Sequence, residues 1–181
     1  MAKTDMMMKN QKGGVFFDRD NTLTKDDGYC HKISDFQWLK GAAHALALLH
    51  HHNIPVFIVT NQGGIAKGIF KEADMQAFHD HLCNKASEAG GKITDIAFCP
   101  HHPEAQDVSL QNCDCRKPGI AMLTSLAEKW QIDLTKSVMI GDRKSDYQAG
   151  IAAGMTSYLS SPEDDLSTLV TKIISTHFEG E

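Results

Sequence analysis

Five short apolar runs, each followed by a stretch of different periodicity, constrain this chain more than any other feature. The runs are residues 14–17, 54–59, 93–98, 137–140 and 155–159, and they are rich in Val, Ile and Phe. Runs this short and this β-branched or aromatic are predicted as buried strands. Between them, residues 72–89 carry Met75, Phe78, Leu82 and Ala86 at spacings of three and four, the stripe of an amphipathic helix. Further helices are predicted over 42–52, 118–130, 146–153 and 166–174, the third opening with Pro118 at a first helical position. Strands alternating with helices specify an α/β fold, a parallel sheet covered on both faces. In such a sheet the functional site lies beyond the C-terminal strand ends, near the point where strand order reverses.

Three of the predicted strands run into reactive polar residues. Phe17 leads into Asp18, Val59 into Thr60 and Asn61, and Ile140 into Gly141-Asp142. Asp18 and Asp20, two residues apart, can face one space as the extended chain leaves the sheet. One such carboxylate can attack phosphorus while the other gives and then takes a proton. Crowded carboxylates repel when both are ionised, which favours a shared proton or a bound cation. Mg²⁺ suits the setting, since one or two carboxylates plus water and substrate phosphate usually hold it. Asp142 can complete that metal site. Asp146, one helical turn on, either orients a neighbour or is simply a first-turn acid. Thr60 and Asn61 offer hydrogen bonds to a phosphate, and Lys117, before Pro118, stands where a helix start favours an anion.

A second cluster lies between residues 99 and 117. Cys99-Pro100-His101 and Cys113-Asp114-Cys115 put four soft ligands on one loop, a set that fits tetrahedral Zn²⁺ in a structural role. His102 competes with His101 for one position. The other cysteines, Cys30 and Cys83, read as unpaired thiols, and His50-His51-His52 as a helix C-terminus.

The 181 residues suit one domain, 1–181, with the zinc loop as a small insertion. A formal charge of −5 argues against a nonspecific nucleic-acid binder, and no apolar run is long enough for a membrane span. Residues 1–14 lack the apolar core of a secretory signal, and Met6-Met7-Met8 reads as a disordered leader. The expectation is a cytoplasmic monomer without membrane or nucleic-acid partners.

In chain order, Asp18 with Asp20, Thr60, Lys117, and Asp142 with Asp146 resemble the motifs of the haloacid dehalogenase superfamily of phosphatases. The resemblance spans about residues 14 to 159. It implies a three-layer Rossmann-like fold with no large cap, Asp18 as the residue phosphorylated, and Asp20 as general acid and base. It further implies that Thr60 and Lys117 hold the phosphoryl oxygens. Mg²⁺ would bind Asp18, Asp142 and the backbone carbonyl of Asp20. The stretches 99–103 and 113–118 look like the branch holding heptose-bisphosphate and histidinol-phosphate phosphatases, in which a zinc loop places Arg116 and Lys117 beside the substrate. Gly28-Tyr29-Cys30-His31 and Ile65-Ala66-Lys67-Gly68 are more similar to the heptose members, which implicates His31 and Lys67 in substrate binding along with Asn61 and Arg116. Two positions depart from that pattern. Asn21 stands where the branch usually has Gly, and Arg143 after Asp142 is familiar from histidinol-phosphate members.

The resulting expectation is a Mg²⁺-dependent phosphatase for a small phosphorylated metabolite, with heptose 1,7-bisphosphate first and histidinol phosphate second. Two other classes share some of these residues. A receiver-like domain would be phosphorylated on Asp18 without efficient hydrolysis. A zinc-dependent interaction module would need the cysteine loop but no carboxylates.

Overall fold

The structure is a computed structural model that describes residues 12–179. The Met6-Met7-Met8 run lies outside them. The strands are β1 (Val15–Phe17), β2 (Val56–Asn61), β3 (Asp95–Cys99), β4 (Val138–Gly141) and β5 (Thr156–Leu159). They form one parallel sheet in the order β3-β2-β1-β4-β5. The helices are α1 (Ala42–His51), α2 (Glu72–Glu88), α3 (Ala121–Trp130), α4 (Lys144–Ala152) and α5 (Leu166–Ile173).

Side chains alternate across a strand, so each central strand feeds two cores. Val15, Phe17, Val56, Ile58, Val138 and Ile140 face α1, α5 and the Leu82–Ala86 end of α2. Phe16, Phe57, Val59 and Met139 face α3 and α4, with Phe16 stacked on Phe57 at 4.7 Å. The three layers are therefore helices, sheet, helices. β1, β4 and β2 as far as Val59 are apolar throughout because both faces are covered, the pattern expected of a buried parallel sheet.

The order reverses at β1. Successive strands step outward from β1 to β3, then β4 returns to the opposite side of β1. Register places Phe17 level with Ile58 and Ile140, so Asp18, Thr60 and Asp142 emerge at one end of adjacent strands.

One helix boundary differs from expectation. The helix expected from Pro118 starts at Ala121 with Ile120 as its N-cap, so Pro118 is not a first helical residue. Trp130, at the end of α3, packs 6.4 Å from the Phe57 ring and is 43% exposed; its indole N–H donates to Asp95 at 2.7 Å. The 99–117 segment carries one short 3₁₀ turn, Val108–Leu110, where no element was expected. Among the described residues no helix is long and apolar enough to cross a membrane.

Candidate active site

Asp18 leaves β1 with its backbone N–H still donating to Ile140 of β4, so the strand ladder fixes where the carboxylate starts. Lys117 reaches it from the end of the cysteine loop. The Lys117 ammonium lies 2.6 Å from Asp18 Oδ1, 2.7 Å from Asp146 Oδ1 and 2.6 Å from the Val59 carbonyl. All three side chains are buried. Asp146 does two things at once. Its Oδ2 accepts from the Arg143 N–H and so caps the start of α4, while its Oδ1 holds Lys117. Gly141 makes room for it, because a Cβ there would sit 2.3 Å from Asp146 Cβ.

The electrostatics leave an excess of negative charge. Asp18, Asp142 and Asp146 offer oxygens within 4.8 Å of one another, against one buried ammonium. Burial pushes Asp18 up to about 7; Lys117 opposes this, and Asp146 and Asp20 add to it. Burial, then Asp146, likewise raises Asp142. Burial alone would lower Lys117, but Asp18 and Asp146 outweigh it and hold the ammonium above its ordinary value. Asp142 Oδ1 is buried with no hydrogen-bond partner among the described residues. An orphaned carboxylate oxygen beside a second carboxylate is a hard, anionic donor set, and it fits Mg²⁺. With both oxygens of Asp146 already engaged, Asp18 and Asp142 are the carboxylates left for a cation.

The second donor set is as closely drawn. Cys99 Sγ lies 3.5 Å from Cys113 Sγ, 2.9 Å from Cys115 Sγ and 3.6 Å from His101 Nδ1, which is 3.3 Å from Cys115 Sγ. Three thiols and an imidazole converging on one point fit Zn²⁺. His102 is not among them. Its Nδ1 accepts from the Glu104 N–H and its ring lines the cleft. The loop connects directly to the first site: Arg116 N–H donates to Cys113 Sγ at 3.4 Å, and Lys117 follows. Above both carboxylate groups opens a cleft of about 270 Å³, lined by Asp18, Asp20, Tyr29, Arg116, Lys117 and Arg143 among others.

A family profile described as HAD-hydrolase-like matches residues 114–162. A D-glycero-beta-D-manno-heptose-1,7-bisphosphate 7-phosphatase of Rhodopseudomonas palustris is 37% identical over 155 residues, 85% of this chain and 86% of that protein. The Haemophilus ducreyi protein of the same name is 41% identical over 145 residues, 80% of each chain. The chain belongs to the haloacid dehalogenase-like phosphatases. A crystal structure of a D,D-heptose 1,7-bisphosphate phosphatase from B. bronchiseptica, complexed with magnesium and phosphate, superposes with a TM-score of 0.81. It is 26% identical, over 90% of this chain and 98% of that one. The receiver-like and interaction-module alternatives give way to a phosphatase, and phosphatases of this superfamily generally use Mg²⁺.

For a haloacid dehalogenase-like phosphatase, the expected motif residues come together as follows. Asp18, Asp20 and Lys117 line the cleft, and Thr60 is buried next to them. Thr60 Oγ1 accepts from Gln62 Nε2 at 2.8 Å, which leaves its own proton free to donate. The Asn61 amide oxygen accepts from Lys117 N–H at 3.0 Å and its amide nitrogen donates to the Lys117 carbonyl at 3.1 Å. Asn61 also lines the cleft, and these two bonds locate the Lys117 backbone beside it. Arg116 lines the cleft with Nη1 donating to the His101 carbonyl at 3.0 Å.

His31 and Lys67, expected at the substrate, do not line the cleft. His31 stacks on Phe70 at 4.7 Å with Nδ1 2.7 Å from the Tyr29 carbonyl. Lys67 pairs with Glu104 at 2.8 Å, and its ammonium sits 5.8 Å from the Tyr29 ring centre. Asn21 absorbs its departure from Gly by taking φ of 57°, a left-handed conformation Asn tolerates, and its amide clamps the Asp26 backbone from both sides.

Gln62 went unnoticed in sequence. Its Nε2 donates to Asp20 Oδ2 at 2.9 Å as well as to Thr60, so it joins two motif residues that are 40 positions apart. Its only local signal is its place after Thr60-Asn61 at a strand end.

Asp146→Ala leaves buried Lys117 with one carboxylate and uncaps α4. Breaking a buried pair by removing one partner costs about 3–5 kcal/mol. Urea denaturation should show a loss of that size; a loss under about 1 kcal/mol would remove Asp146 from this role.

His79 supplies a pH-dependent prediction. Burial, then the Arg19 guanidinium, pushes its pKa down to about 3. Unfolded, it titrates near 6.5. With the folded value below the unfolded one, the unfolded chain binds the proton first as pH falls. Stability from this group is thus full above about pH 6.5 and is lost progressively toward pH 3. By pH 5 the loss is on the order of 2 kcal/mol. His79→Gln should therefore lose less stability than the native chain between pH 7 and pH 5, measured by thermal melts.

Proposed function

We propose that this chain removes the 7-phosphate of D-glycero-D-manno-heptose 1,7-bisphosphate through a phosphoaspartate on Asp18. The chemistry rests on one observation above the others, the buried Lys117 ammonium held between Asp18 and Asp146 beneath an open cleft. The sugar rests on the relatives' names, which also favour the β-anomer.

In this reading the free oxygen of Asp18 attacks phosphorus, and the bond from phosphorus to the sugar's O7 breaks. Asp20 delivers a proton to that leaving oxygen. Asp20 then takes a proton from water as the water oxygen attacks the phosphoaspartate, releasing phosphate and restoring Asp18. Lys117 and the Thr60 hydroxyl bind phosphoryl oxygens, whose charge must be matched because phosphoryl transfer is chiefly positioning and charge stabilisation. Mg²⁺, held by Asp18, Asp142 and the main-chain carbonyl of Asp20, supplies further positive charge there when bound. Arg116 reaches the substrate from the cleft wall. Zn²⁺ on Cys99, His101, Cys113 and Cys115 is structural and locks the loop that delivers Arg116 and Lys117. The whole chain, 1–181, acts as a single domain, a monomer in the cytoplasm.

Arg143 favours a second reading. It lines the cleft with an exposed guanidinium, and Arg beside this Asp resembles the histidinol-phosphate members.

Phosphate release with Mg²⁺ should be measured on both heptose 1,7-bisphosphate anomers, histidinol phosphate and fructose 1,6-bisphosphate. A kcat/KM at least about tenfold higher for a heptose anomer supports the first reading. A preference for histidinol phosphate selects the second, and a preference for fructose 1,6-bisphosphate rejects both.

A further inference from the structure

Arg19, between the two motif carboxylates, has no task in this mechanism, yet it is fully buried. Its Nε donates to Asp20 Oδ1 at 2.7 Å. Its Nη2 reaches Asp20 Oδ2 at 3.1 Å, the Cys30 carbonyl at 2.8 Å and Gln62 Oε1 at 3.2 Å. Nη1 faces His79 Nε2 at 3.1 Å, and the Phe78 ring lies 4.8 Å from the guanidinium carbon. A guanidinium can only donate, so His79 Nε2 is the acceptor and the imidazole proton sits on Nδ1. His79 belongs to α2, is buried, and does not line the cleft.

We infer that His79 and Arg19 form a two-link brace that orients Asp20, making both of them positioning residues for its proton transfers. The inference rests on the role proposed for Asp20. A carboxylate that must face the leaving oxygen and then a water needs a fixed plane, and a short Asp side chain left alone would rotate. The Arg19 fork grips both oxygens, and each retains acceptor capacity if it carries a proton. The fork is itself fixed only if its remaining N–H groups are paired, since an unpaired donor in a dry interior is costly. Cys30 and Gln62 fix one terminal nitrogen, and His79 fixes the other. With that acceptor gone, Nη1 must turn toward another partner, and the carboxylate turns with it. Because the brace touches no substrate, its loss should lower the rate of proton transfer while leaving binding alone.

The test compares His79→Leu, which fills the volume without an acceptor, with His79→Gln, whose amide oxygen can replace Nε2. Both are assayed with Mg²⁺ on whichever substrate of the panel above turns over fastest. His79→Leu should reduce kcat on the order of tenfold with KM within twofold, and His79→Gln should recover kcat to within about threefold of the native enzyme. Should His79→Leu fail to fold, Arg19→Lys, which keeps the charge and loses the fork, should give the same kcat-specific loss. The brace is overturned by an unchanged kcat in His79→Leu, by a Gln variant no better than Leu, or by KM rising in step with the loss. Normal turnover by Asp20→Asn would instead overturn the role of Asp20, and the brace with it.

Discussion

Asp18→Asn should release phosphate on the order of 10⁴-fold more slowly than the native enzyme, whichever panel substrate is used. A carboxamide keeps the size of the side chain but loses the anion proposed to attack phosphorus, and it is a poorer donor to a hard cation. The variant should nonetheless be well folded. The Asp18 pKa is raised to about 7 by burial against a usual value near 3.9, so its ionised form is disfavoured in the native state. A carboxyl with a raised folded pKa contributes stability below its unfolded value and loses it as pH rises through the folded one. In metal-free buffer at pH 8, Asp18→Asn relieves that cost but leaves Lys117 with Asp146 alone, so it should melt close to the native temperature. Inactivity with a Tm close to native is the expected pair of results. Residual turnover within tenfold of the native rate would move the nucleophile elsewhere.

The second large effect concerns the cysteine loop. Replacing Cys113 and Cys115 by Ser should take zinc content from about one per chain to near zero, by elemental analysis after dialysis. Structural zinc sites owe their folding free energy to the metal, and the 99–117 segment has only one short 3₁₀ turn of its own. Cys99, Cys113 and Cys115 touch only the edge of the α3–α4 core and the other core contains none of them, so Tm should fall without loss of the whole fold. Activity should fall further than stability. Arg116 and Lys117 directly follow Cys115, a proposed ligand, and Lys117 must reach Asp18 to within 2.6 Å. A displacement of about 1 Å at such a group can cost on the order of 10²-fold in rate. Unchanged zinc content in the double variant would refute the ligand assignment, and full activity without zinc would refute the coupling of loop to lysine.

Much of this was legible in the chain because it is written locally. Buried parallel strands are apolar on both faces, so the five runs stand out without knowledge of their neighbours, and their ends moved by no more than two residues. Asp18 and Asp142 were legible because each follows a strand directly, and Asp20 and Asp146 lie within four residues of them. The alternation of strand and helix then forces those ends to one edge of the sheet. The paired spacing of Cys99 with His101 and of Cys113 with Cys115 named the soft donors, though choosing His101 over His102 required the fold, which turns His102 toward the cleft.

Pairings across long separations were decided only in three dimensions. Asn61 meets the backbone of Lys117 56 positions away, and Arg19 meets His79 60 positions away. No periodicity or spacing encodes such contacts, because they depend on which helix lies over which strand end. His31 and Lys67 stand near the motif loops in sequence, yet local partners at Phe70, Glu104 and Tyr29 hold them off the cleft. The chain alone carries the sheet, the carboxylates at its strand ends and the donor types of both candidate metal sites. Tertiary structure decided which polar atoms remain free for chemistry, because a hydrogen-bonding atom is available only when no neighbour brought in by the fold has claimed it.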